Sequence, residues 1–81
     1  MELKVLGAIK AEVKLLNRCA FDEEFEVWFP HMFRDGMWAC DVVFPSNTPG
    51  ARLQRLFSLL YANDCNWFFM DINGDVAIHI Q

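Results

Sequence analysis

Trp67-Phe68-Phe69-Met70-Asp71-Ile72-Asn73-Gly74-Asp75-Val76-Ala77-Ile78-His79-Ile80 holds two apolar runs on either side of Asn73-Gly74. Asn-Gly between two apolar runs is the strongest short hairpin signal, because both residues tolerate the positive φ that a two-residue turn demands. Such a turn pairs Ile72 with Asp75. Trp67, Phe69 and Asp71 then share a face with Ile80, Ile78 and Val76, and this is the expected core face. Phe68, Met70, Ala77 and His79 fall on the opposite face.

Upstream, Pro45-Ser46-Asn47-Thr48-Pro49-Gly50 is the clearest punctuation in the chain. It ends one strand and starts a helix, with Thr48 placed to cap and Pro49 at the first helical position. Leu53, Leu56, Phe57 and Leu60 mark the buried stripe of that helix, and Asn63-Asp64 its end. Upstream lies another hairpin around Asp35-Gly36. Phe25, Val27 and Phe29 alternate with Glu24, Glu26 and Trp28, and Pro30 points to an edge strand or a bulge. In Met37–Phe44, Trp38, Cys40, Val42 and Phe44 share one face, while Met37, Ala39, Asp41 and Val43 share the other. Residues 2–19 read as an amphipathic helix with Leu3, Leu6, Ile9, Val13, Leu16 and Ala20 on one side and a stop near Asn17. The competing reading is a strand at residues 12–16. The order is therefore α-β-β-α-β-β: one α+β domain over residues 1–81, with a four-stranded antiparallel sheet and helices on one face.

Composition narrows the class. The 81 residues are 54% hydrophobic and 15% aromatic with a net charge of -4. A disordered chain would be poorer in aromatics, and a nucleic-acid binder would carry a basic face. No nucleic-acid partner is expected, and no membrane partner either. The start has an acidic residue at position 2 and no long apolar run, which does not suit a signal peptide, and no run reaches the roughly 20 apolar residues of a span. Cys19, Cys40 and Cys65 are odd in number and widely spaced, which reads as reduced thiols in the cytoplasm. A domain this small leaves much of its apolar surface uncovered, so the excess of Phe, Trp and Met asks for an outlet.

The charge is uneven. Asp22, Glu23, Glu24 and Glu26 form the one dense cluster. It reads as a solvated edge that keeps an apolar protein soluble, or as a dock for a basic protein partner. No metal-ligand spacing, phosphate loop or nucleophile elbow is present, so no cofactor and no enzyme activity are expected. His79 reads as a surface residue. Cys40 and His31 flank one turn and could meet, but a thiol among large apolar groups is more readily explained by packing.

The most unusual stretch is Trp28-Phe29-Pro30-His31-Met32-Phe33-Arg34-Asp35-Gly36-Met37-Trp38. It crowds large side chains near a turn. Either it folds over the edge of the core, or it is an interface, for which Trp, Phe, Met and Arg are the enriched residues. The expected function is a small acidic interaction module, an inhibitor or accessory protein, that forms a homodimer through an aromatic sheet face. Trp28, Met32, Phe33, Phe68, Met70, Glu23, Glu24 and Glu26 are the candidate partner-binding residues. The alternative is a small-molecule binder with an apolar pocket between subunits.

Overall fold

The computed structural model describes residues 1–18 and 24–81. They form α1 (Leu3–Arg18), β1 (Glu26–Arg34), β2 (Met37–Pro45), α2 (Gln54–Ala62), β3 (Trp67–Ile72) and β4 (Asp75–Ile80), with one turn of 3-10 helix (Gly50–Leu53) leading into α2. Asn73 and Gly74 take φ of 48° and 87°, the two left-handed residues of a type I′ turn. Ile72 pairs with Asp75, and the ladder runs without interruption to Trp67 and Ile80. The expected register of this hairpin is the one observed.

The sheet order is β1-β2-β4-β3. The two hairpins join antiparallel through their second strands, with Val42 opposite Ile78. Each hairpin's first strand therefore becomes an edge. Both helices cover the same face, where Leu6, Ile9, Leu56 and Leu60 meet Val42, Ile78 and Ile80. Each such side chain contributes about 1.5–3 kcal/mol by leaving water. Residues 12–16 are helical, not extended.

Polar contacts fasten this layer. Asn17 lies in the last turn of α1, and its side-chain amide exchanges two 2.9 Å hydrogen bonds with the backbone of Phe25. That amide imitates a strand and ties the approach to β1 onto the helix. Arg52 donates to the Leu16 carbonyl at 2.7 Å, filling a helix-end acceptor that has no intrahelical partner. Its guanidinium also lies 5.0 Å from the Phe25 ring centroid. Glu12 is buried on α1 and pairs with Arg55 Nε of α2 at 3.2 Å.

Three details depart from expectation. The Thr48 hydroxyl caps nothing. It is buried with no hydrogen-bond partner among the described residues, and the chain enters α2 through the 3-10 turn after Pro49. Phe29 does not continue the buried side of β1. It takes φ of 52° beside Pro30 and is 68% exposed, because the ladder slips between Trp28 and His31. Trp67 and Phe69 lie on the helix side of the sheet as expected, yet both are exposed. From α2 only the Phe57 ring packs against them, 4.9 Å from Trp67 and 6.1 Å from Phe69 between centroids.

Candidate functional site

Among the described residues no helix covers the outer face of the sheet, yet its centre is dry. Ala39, Asp41 and Val43 of β2 and Ala77 of β4 are buried. Larger side chains on the two edge strands shelter them. One row crosses all four strands: Trp28, Asp41, His79 and Phe68 stand opposite one another in register. At its middle, His79 Nδ1 lies 2.7 Å from Asp41 Oδ1. The Phe68 ring lies over the imidazole at 5.0 Å between centroids. The Trp28 indole N–H donates to Glu26 Oε2, which fixes the ring at the β1 end of the row. The next row carries Glu26, Val43, Ala77 and Met70.

His79 is thus a half-buried residue with a carboxylate partner, not the lone surface group that its strand position suggested. The partner lies 38 residues away. It reaches His79 only through the β2–β4 pairing, which no local signal announces.

The candidate residues divide. Trp28, Phe68, Met70 and Glu26 share the outer face. Met32 stands opposite Trp38 beyond the first bulge, towards the end of the hairpin. Phe33 lies beside it under the Arg34 guanidinium, 6.0 Å from the ring centroid. Both are exposed. Glu24 turns to the helix side, 3.9 Å from Arg52, so Glu24 and Glu26 do not build a single acidic surface. Glu23 and Asp22 lie outside the described residues, as do Cys19 and Ala20.

A second apolar surface lies across the sheet. Phe57 and Tyr61 of α2 and Trp67 and Phe69 of β3 line a shallow concavity of about 400 Å³. Phe57 and Trp67 are 4.9 Å apart between ring centroids, and Trp67 and Phe69 5.3 Å. Tyr61 is 86% exposed. The signal available in the sequence was the Phe57–Tyr61 spacing, which sets two aromatic rings on one helical stripe beside the Leu56–Leu60 stripe. β3 therefore shows aromatic rings on both faces. Trp67, Phe68 and Phe69 are 42%, 51% and 53% exposed.

The remaining chemistry is spare. Cys40 points into the core, whereas His31 stands opposite Ala39 on the other side of the sheet. These two do not form a thiol–imidazole pair. Burial pushes the Cys40 thiol up to about 11, with the Asp41 carboxylate adding to the shift. Burial also raises the Cys65 thiol. Cys65 borders a more polar hollow of about 510 Å³ with Lys4, Arg34 and Asp64. Among the described residues no three His, Cys, Asp or Glu side chains gather as a metal site. Among the described residues no helix is long and apolar enough to cross a membrane. Comparison with protein-family models, curated proteins and solved structures gave no match.

Proposed function

We propose that the protein is a non-catalytic protein–protein interaction module that self-associates through the aromatic flank of its sheet. One observation carries this reading. Three consecutive aromatic residues, Trp67, Phe68 and Phe69, stand about half exposed on one strand. Contiguous apolar surface of this kind marks an interaction site on a small domain, and aromatic rings dominate interface cores. On the outer face Phe68 ends a row that also carries the Asp41–His79 pair and, at the far edge, Trp28. The cytoplasm suits this reading, because Cys40 and Cys65 are free thiols. A dock for a basic partner has less support, since Glu24 is engaged with Arg52 and Glu26 with Trp28.

Charge substitution tests the proposal. Phe68→Glu and Trp67→Glu should each convert the associated species to monomer in light scattering after size exclusion. Far-UV circular dichroism should not change, because neither ring belongs to the buried core. Dimers that survive both substitutions would reject the β3 flank as the interface.

The concavity at Phe57, Tyr61, Trp67 and Phe69 favours a second reading, a small apolar ligand held beside the interface. Trp67 fluorescence reports on it. A blue shift with an aromatic or fatty ligand would support this reading, and an unchanged spectrum across both classes would remove it.

A further inference from the structure

The two edges of the sheet are not alike. β1 carries Pro30, a left-handed Phe29 and two register slips. Proline, bulges and charge are the devices that stop an edge strand from accepting another strand. β3 has neither proline nor bulge. Its ladder to β4 is regular from Trp67 to Ile72, and Asp71 is its single charged residue.

The backbone of β3 shows which groups are left over. Asn66 and Gln81 exchange both of their backbone hydrogen bonds, at 3.0 and 2.9 Å. Bonded and non-bonded pairs alternate along an antiparallel ladder. Phe68, Met70 and Ile72 therefore bond to β4, and the N–H and C=O groups of Trp67, Phe69 and Asp71 point away from the sheet.

From this we infer that β3 is the pairing edge of a symmetric dimer, in which two copies of the chain join their sheets into one of eight strands. The inference rests on the self-association proposed above and specifies how it occurs. The occupant is a second copy because the strand is complementary to itself. An antiparallel pairing centred on Phe69 opposite its own copy sets Trp67 against the partner's Asp71. Each carboxylate then faces an indole instead of a like charge, and all three outward-bonding residues find a bonded partner. The rings follow the backbone. At roughly 200 Å² for each aromatic side chain, the exposed parts of Tyr61, Trp67, Phe68 and Phe69 amount to at most about 460 Å² per copy. That gives at most about 930 Å² in total, close to the roughly 1,000 Å² at which specific interfaces begin.

Amide hydrogen exchange on the wild-type chain at low and high concentration tests this. At low concentration Phe68 and Met70 should be protected, while Trp67, Phe69 and Asp71 exchange freely. At high concentration protection should become continuous from 67 to 71. Asp71→Pro removes one outward N–H and leaves the β4 ladder untouched. It should weaken association at least tenfold in light scattering, while Asp71→Ala keeps the dimer. Where Asp71→Pro fails to fold, the wild-type exchange pattern alone decides. A dimer that survives Asp71→Pro, or whose amides at 67, 69 and 71 stay open, would overturn strand pairing and leave association through side-chain faces. A chain that is monomeric at every concentration would overturn both, and would leave the edge to a strand of another protein.

Discussion

Burial keeps the Cys40 thiol protonated in the fold, with its pKa at about 11 against an ordinary 9.0. The unfolded chain gives up that proton at lower pH, so the unfolded state gains above pH 9 and stability falls between about pH 9 and 11. A shift of that size corresponds to about 2–3 kcal/mol at the upper end. Urea titrations across this range should show that decline, and Cys40→Ala should flatten it; parallel curves would contradict the burial argument. The native thiol should also resist iodoacetamide at neutral pH, read by mass spectrometry on the Cys40 peptide. At Asn17 the cost is of another kind. Asn17→Ala leaves the buried Phe25 without its two backbone partners, and we expect a loss of about 1–3 kcal/mol in urea unfolding. The burial of Cys40 follows from the alternation of β2, which sets it beside Trp38, Val42 and Phe44; the Asn17 contact does not show in periodicity, because it depends on a neighbour brought in by the fold. The Asp41–His79 pair is the clearest instance. His79→Leu should cost about 1–3 kcal/mol by leaving the Asp41 carboxylate unpaired in its nearly dry setting.

At the scale of elements, local chemistry was readable where it acts alone. Asn73-Gly74 sets a turn type by its own φ preferences, and the register of β3 and β4 follows from it. The apolar spacing of α1 fixed its face, although Leu3 turned out exposed and the buried Glu12 was not anticipated. Glu12 enters the interior only because Arg55 reaches it from α2. Elements whose ends depend on neighbours were less readable. Thr48 has the right residue type for a cap, but the 3-10 turn places the helix start elsewhere. Gly74 carries the hairpin prediction. With φ at 87°, Gly74→Val should destabilise the protein by about 1–2 kcal/mol and loosen the β3–β4 ladder, visible as faster exchange at Phe68 and Met70.

For the whole molecule, an α+β sandwich with helices on one face was within reach of the pattern. The strand order was not. Two hairpins can meet by first or second strands with the same alternation, and only the β2–β4 pairing makes β1 and β3 the edges. That choice decides the candidate site. It sets Trp28 and Phe68 at opposite ends of one row, takes Met32 and Phe33 away from it, and places Trp67, Phe68 and Phe69 on an edge without proline or bulge. Three of the exposed aromatic residues thus follow one another on β3. The most direct measurement is the wild-type molar mass by light scattering as concentration rises into the high micromolar range. Association through β3 predicts a mass approaching twice the 9.4 kDa of the chain; a mass that stays at the monomer value throughout would contradict it.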